Sequence, residues 1–483
     1  MHKFSKQENC IVEVDEHLSL HHHLAQITPT SMSLSSRAVC PTELSWCRAV
    51  PTGTGITVLA LLFSKPPDVP FLENALRSLQ SSHPILNSKL RFDPSSNSFS
   101  YVTPQSPYLQ IRPFDSQSTA HILRSPNPNP IPPLHLILEH ELNTNSWQNP
   151  HPSSDTDLFF ASLYSLEGGN SVLALRLHTS ACDRAAAGAL LKELVAFMEA
   201  KQGIQGESGK EMKVSLGIED CIPSGQGNKP FWSRGVDMLG HSLNSFRLAN
   251  LSFKDTASPR LSRVVRFKMS EEDTGKILSR CNSKKIKLSA ALAAAGLIAC
   301  HASKRFPDEQ WEKYAVVTLM DCRPALDPVL SSQHIGFYHT AIMHTYDIHG
   351  GEKLWELAKL VHSSFMDSKS KNKHFTDMAD LNFLMCKAIE NPSLTPSSSL
   401  RTSLISVFED PIFDPPNKLK ETMGFEDFIG CASVHGVGPS IAVFDTIRRG
   451  ALDCALVYPF PLFSREQMND FIDRINRILL KGI

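Results

Sequence analysis

The stretch Leu173-Ala174-Leu175-Arg176-Leu177-His178-Thr179-Ser180-Ala181-Cys182-Asp183-Arg184 combines residue types that can move a proton. An apolar strand delivers an imidazole, His178. A carboxylate, Asp183, follows five positions later, where a helix begins. Imidazole has an ordinary pKa of about 6.5, so it can take and return a proton at neutral pH. The chemistry this suits is general-base catalysis, with His178 as the candidate base. Two further imidazoles sit where a second part of the chain could approach: His435, just before Gly436-Val437-Gly438-Pro439, and His339, after Gly336-Phe337-Tyr338. Cys182 has no base at a readable spacing and reads as a small buried hydrophobe.

Strand geometry decides where His178 points. Side chains alternate between faces, so Leu173, Leu175 and Leu177 share one face and Thr179 continues it. Arg176 and His178 share the other. A one-residue bulge at the strand end would swing His178 to the face of Thr179. Without a bulge, His178 is a strand-end histidine satisfied by the backbone.

The surrounding pattern supplies the elements that position this segment. Residues 158–166 and 171–178 read as a hairpin around Gly168-Gly169-Asn170. Residues 185–199 read as a helix with Ala187, Leu190, Leu191, Leu194 and Met198 on one face. Upstream, 56–63 reads as a strand and 71–81 as a helix stopped by His83-Pro84. Residues 104–133 read as an irregular excursion and 134–139 as a strand. Downstream, strands are expected at 263–267, 314–320, 441–444 and 451–457. Helices are expected at 288–303, 352–366 and 375–389. A last helix follows Ser464 and Gln467, a capping pair, with Met468, Phe471, Ile472, Ile475 and Leu479 as its apolar stripe. Irregular alternation with hairpins predicts a mixed α/β fold of two sandwiches rather than a doubly wound parallel sheet. The expected organisation is a flexible lead at 1–37, a first lobe at 38–201, a connection at 202–262 and a second lobe at 263–483.

Composition narrows the function classes. The chain has 483 residues, 41% hydrophobic and 20% charged, which suits a folded soluble protein, and its net charge of −1 offers no global attraction to nucleic acid or membrane. The run Lys284-Lys285-Ile286-Lys287 reads as a solvated face. Eleven cysteines contain no C-x-x-C pair, which argues for reduced thiols and against a zinc ribbon. The lead lacks an apolar signal core, so the cytoplasm is the expected location. His21-His22-His23 cannot all face one ion in a regular element. No Walker A loop, H-E-x-x-H or G-x-S-x-G occurs, and Gly53-Thr54-Gly55 reads as a turn rather than a dinucleotide fingerprint. No metal or resident cofactor is expected, and a monomer is.

Several segments, in order, resemble the acyltransferase superfamily that includes chloramphenicol acetyltransferase, peptide-synthetase condensation domains, alcohol acetyltransferases and the BAHD enzymes. The 178–184 segment resembles its H-H-x-x-x-D-G motif. Pro41-Thr42-Glu43-Leu44-Ser45-Trp46, Ala75-Leu76 through Leu86, Asp321-Cys322-Arg323-Pro324 with Gly336-Phe337, and the stretch from Gly436 through Leu452 resemble further family segments. The similarity spans roughly 38–480. It implies two chloramphenicol-acetyltransferase-like lobes with a channel between them, where a catalytic histidine deprotonates an acceptor that attacks an acyl-CoA thioester. It also implies that Asp183 pairs with Arg323, as a two-pronged fork, to hold the geometry. The BAHD motif D-F-G-W-G is absent, so condensation domains and alcohol acetyltransferases are the nearer relatives. Arg184 replaces the family glycine.

Counted back from Asp183, the family's catalytic position holds Thr179, and His178 occupies the preceding, non-catalytic one. A threonine hydroxyl is no general base near neutral pH. Loss of a positioned base removes about 10²–10⁴-fold in rate. Two readings follow. In the first, the chain is an acyltransferase for a small hydroxyl or amine with His178 as base, Asp183 and Arg323 holding the site, and Thr179, His435 and His339 as channel candidates. In the second it is a degenerate member that binds a ligand or protein in the channel.

Overall fold

The residues around His178 lie in the middle of a sheet whose two faces are both covered, and that placement governs everything at the site. A computed structural model describes residues 35–124, 130–149, 154–199, 214–227, 248–304, 310–391, 401–413 and 424–482. The expected lead up to residue 34, with its three histidines, and the stretches 202–213 and 228–247 of the expected connection lie outside the described residues. The strands in chain order are β1 (Ser35–Ala38), β2 (Thr54–Phe63), β3 (Lys89–Asp93), β4 (Ser98–Thr103), β5 (Ile111–Phe114), β6 (Thr156–Asp157), β7 (Phe159–Ser165), β8 (Ser171–His178), β9 (Leu261–Lys268), β10 (Glu312–Asp321), β11 (His339–Ile348), β12 (Ile405–Phe408), β13 (Ile412–Phe413), β14 (Phe425–Val434), β15 (Ile441–Arg448) and β16 (Ala451–Phe460).

They form three sheets. A four-stranded sheet runs β1-β4-β3-β6, a five-stranded sheet β14-β2-β8-β7-β5, and a seven-stranded sheet β11-β10-β12-β15-β16-β9 with β13 beside β15. β14 comes from the second half of the chain yet pairs antiparallel with β2, from Phe425↔Phe63 to Val434↔Thr54. The two halves therefore share a sheet, and the described residues from Ser35 onward form one compact unit.

The pattern of β8 is the clearest link from sequence to packing. Leu173, Leu175 and Leu177 join Leu76, Leu79, Leu190 and Leu194 in one core. These come from the helices Val69–Ser82 and Arg184–Glu199. Val172 and Ala174 join Leu134, Ile137, Leu138 and Leu142 in another, on the opposite face. The seven-stranded sheet is covered by the Ala-rich helix Leu288–Ser303 and by Leu354–Ser370 and Arg465–Lys481. All five residues of the expected stripe on Arg465–Lys481 are buried, and Ser464 caps it at Gln467 N.

Four expectations need correction. Residues 134–139 are not a strand but part of the helix Pro133–Leu142. Pro133 at its first turn suits a helix start, and Leu134, Leu138 and Leu142 recur at fourfold spacing. The excursion at 104–133 contains β5 and the helix Ser116–Ile122, capped by Asp115. Thr54 and Gly55 open β2 rather than lying in a turn, although Gly53 is left-handed. Ser35–Arg37, placed in the lead, belong with Ala38 to a strand of the four-stranded sheet.

Candidate functional site

His178 ends β8 on the face of Val172, Ala174 and Arg176, as regular alternation dictates. No bulge re-aims it: β8 pairs in continuous register with β2, Ile56↔His178 through Phe63↔Ser171. The ring is fully buried and meets Trp147 edge-on at 5.2 Å. Its Nδ1 accepts from Ser180 N at 3.2 Å and lies 2.7 Å from Ser180 Oγ, which in turn accepts from Tyr101 OH at 2.8 Å. Nδ1 thus caps the turn Thr179–Ala181. Burial pushes the ring's pKa down to about 3, so it stays neutral. The expectation that His178 is the base is corrected: its ring is structural and turned away from the cavity.

The cavity lies on the other face. It measures about 140 Å³, and residues of both halves of the chain line it. Trp46, Phe337, Phe408, Phe428 and Phe444 give it aromatic walls, and Thr179 reaches it. Thr179 Oγ1 shares a 2.7 Å hydrogen bond with Thr57 Oγ1 on β2, both side chains being buried. Gly55 makes room for this corner. Its φ is +93°, and a Cβ there would stand 2.8 Å from the Trp46 ring and 3.2 Å from Thr179 Oγ1. Where Gly55 sits, the β14–β2 register slips between Ala432↔Thr57 and Val434↔Thr54.

Asp183 is the hub that joins the turn after β8 to the second half. Oδ1 accepts from Ala186 N at 2.8 Å, at the start of the helix Arg184–Glu199. Oδ2 accepts from Tyr338 N at 2.7 Å and is 3.0 Å from Arg323 Nη2. Both ionic side chains are 1% exposed. The pairing is a single contact rather than a fork. Arg323 spends its other donors on Asp321 Oδ1 at 2.9 Å, His334 O at 3.0 Å and Gly336 O at 3.3 Å. Burial pushes the Asp183 carboxyl up, but Arg323 and the neighbouring His339 outweigh it and hold the pKa well below the usual carboxylate range. Asp183 is therefore ionised at all ordinary pH.

His339 is the imidazole that lines the cavity among the described residues. It opens β11 directly after Tyr338, whose backbone Asp183 clamps. Its Nδ1 lies 3.0 Å from Asp183 Oδ2, close but too poorly aligned for a directed hydrogen bond. Phe408 meets the ring edge-on at 6.0 Å. His435 does not line the cavity. Its ring packs on Gly53, its Nδ1 is 3.0 Å from Ser262 Oγ, and burial lowers its pKa to about 4. Its expected channel role is thereby corrected, because the turn it precedes folds back onto the start of β2. Cys182 lines the cavity, but burial, with Asp183 beside it, pushes its thiol up, so it is no thiolate at neutral pH.

Arg184 also lines the cavity. Its guanidinium lies over Phe408 at 4.3 Å and pairs with Asp445 Oδ1 on β15 at 3.0 Å. It contributes a second buried bridge between the halves. Sequence reading identified Arg184 only as a departure and missed Thr57 and Gly55, because residues of β2 enter the site through sheet pairing alone. Among the described residues, no group of three or more His, Cys, Asp or Glu could hold a metal ion, and no single helix is long and apolar enough to cross a membrane.

Comparison with known proteins bears on the fold. The family model for alcohol acetyltransferase matches residues 247–403, the stretch that carries Arg323 and His339. A sequence comparison with curated proteins gives no significant match. Among solved structures, trichothecene 15-O-acetyltransferase from Fusarium sporotrichioides is similar at 13% identity and a TM-score of 0.67, over 92% of this chain and 95% of that one. Polyketide synthase associated protein 5 from Mycobacterium tuberculosis is similar at 16% identity and 0.60, over 92% and 97%. The first condensation domain of the calcium-dependent antibiotic synthetase is similar at 14% identity and 0.60, over 93% and 96%. At these identities the likeness establishes the fold.

Proposed function

We propose, from the premise that this chain has the two-lobed fold of the CoA-dependent acyltransferase superfamily, that it transfers an acyl group from a CoA thioester to a small hydroxyl or amine. The observation that carries this reading is the cavity, lined from both halves and holding an imidazole beside a buried, ionised carboxylate. The alcohol acetyltransferase match over 247–403 supports the same chemistry. Aromatic walls exclude water, which favours transfer to an acceptor over hydrolysis. The bridges of Asp183 to Arg323 and of Arg184 to Asp445 fix the walls, so two bound substrates would gain from orientation. CoA enters as co-substrate and acts in the cytoplasm, on a monomer.

Thr179 favours a second reading. It carries a hydroxyl at the family's base position and engages it with Thr57. On that reading the cavity binds a ligand or protein partner without turnover. One experiment separates the two. Wild type, Thr179→His and Gly188→Trp, which plugs the cavity wall, are incubated with acetyl-CoA or octanoyl-CoA and octanol or benzyl alcohol. Free thiol and ester are then measured. Acyl transfer predicts turnover by wild type and none by Gly188→Trp. Turnover confined to Thr179→His identifies a binding member whose proton acceptor is lost.

A further inference from the structure

We propose that His339 is the proton acceptor of this site and that Asp183 positions it, an assignment that rests on the acyl-transfer reading. The polar side chains lining the cavity among the described residues are hydroxyls, two thiols, the Trp46 indole (a donor only), Asp183, Arg184 and His339. Serine and threonine hydroxyls do not take up protons at neutral pH. Burial pushes both thiols, Cys182 and Cys431, up, so they stay protonated and weakly nucleophilic. Arg184 is a cation held by Asp445. Asp183 has its oxygens engaged by Ala186 N, Tyr338 N and Arg323, and its low pKa makes it a poor base. The two other imidazoles considered from sequence, His178 and His435, do not line the cavity. His339 remains.

Its placement suits the task. Asp183 clamps the backbone of Tyr338 and stands 3.0 Å from Nδ1 of the next residue's ring. A small rotation would align that contact, as happens when catalytic hydrogen bonds tighten around substrate. With the Nδ1 proton facing the carboxylate, Nε2 offers its lone pair to the cavity. Nε2 makes no hydrogen bond among the described residues, and the ring is one of the cavity walls. The charge at Asp183 would stabilise the imidazolium that forms, as the carboxylate of a catalytic triad does. Arg323 and Arg184 are the cations nearby; each is already paired, with Asp183 and Asp445 respectively.

The step balances. Nε2 takes the proton of the acceptor hydroxyl as its oxygen bonds to the thioester carbonyl carbon, and the carbonyl π pair moves onto oxygen. Collapse restores the carbonyl and breaks the C–S bond. The Nε2 proton then passes to the departing sulfur, which gives ester and free thiol. No electron acceptor or donor is needed.

His339→Gln and His339→Ala are compared with wild type, using acetyl-CoA or octanoyl-CoA with octanol or benzyl alcohol. Circular dichroism and thermal melting establish that the variants are folded, and the conservative Gln variant keeps the test open if Ala is not. The expected result is a fall in kcat of about 10²–10⁴-fold with KM for the alcohol little changed. Added imidazoles should restore turnover to His339→Ala in order of their basicity, which refilling of a merely structural gap would not produce. Folded variants with wild-type kcat overturn His339 and leave acyl transfer standing. A wild type that releases no thiol with any pair overturns acyl transfer, and the assignment of His339 with it.

Discussion

Replacement of Asp183 by Asn isolates the electrostatics that hold the site together. The substitution preserves shape, and the Asn carbonyl can still accept from Ala186 N. The amide nitrogen then falls where Oδ2 now meets Tyr338 N at 2.7 Å and Arg323 Nη2 at 3.0 Å, which opposes donors to donors. Arg323, 1% exposed, loses Asp183 and keeps the more exposed Asp321 as its carboxylate partner. Removal of one member of a buried ion pair costs about 3–5 kcal/mol. With a urea dependence of about 3 kcal/mol/M, the unfolding midpoint should fall by about 1–1.7 M. Linkage adds a pH signature. The folded carboxyl has a depressed pKa, so its stabilisation is complete above the unfolded value of about 3.9 and is lost as pH falls below it. Asp183→Asn should lack that acid-dependent part. Replacement of both Asp183 and Arg323 by apolar residues should cost less than the sum of the singles. Urea midpoints measured across this set at neutral and acidic pH provide the assay. A neutral-pH loss below about 1 kcal/mol in Asp183→Asn would refute the view of Asp183 as a buried electrostatic hub.

His178 should matter for stability rather than turnover, so a His178→Gln variant that still folds should keep kcat within a few fold in the thiol-release assay. Because its pKa falls to about 3 on folding, wild type should lose stability as pH drops below about 6.5, by up to about 1.4 kcal/mol per pH unit from this group, and His178→Gln should show a shallower slope in urea titrations. Gly55→Ala, at φ +93° with its Cβ 2.8 Å from Trp46, should destabilise by about 1–3 kcal/mol in thermal melts and disturb the Thr57–Thr179 corner. Arg184→Met leaves Asp445 buried without its cation and should lower the urea midpoint by an amount similar to that for Asp183→Asn, because both break buried bridges between the halves.

Legibility in the sequence tracked how local each determinant was. β8 and its hairpin were readable because Leu173, Leu175 and Leu177 alternate with Arg176 and His178, and that alternation correctly placed Thr179 on the cavity face. The final helix was readable from its cap and stripe. The helix Pro133–Leu142 was misread because six residues are too few to separate a buried helix from a strand. β14 was overlooked: Glu426, Asp427, Gly430 and Ser433 dilute its strand character, and only pairing with β2 makes it a strand. The contact of Asp183 with Arg323 came from family resemblance, since nothing local joins residues 140 positions apart. His339 could be named as a candidate, but its closeness to Asp183 depends on Tyr338 being clamped across the two halves.

The position of β14 bears on how the chain is made. During synthesis β2, with its ten largely buried residues, must wait for more than 350 further residues before the strand that covers its outer edge emerges from the ribosome. Until then an apolar edge stands bare, the kind of surface that recruits foreign strands. A nascent or truncated product ending before residue 425 should therefore depend on chaperones and tend to aggregate, while the finished chain closes that edge with its own late-arriving segment.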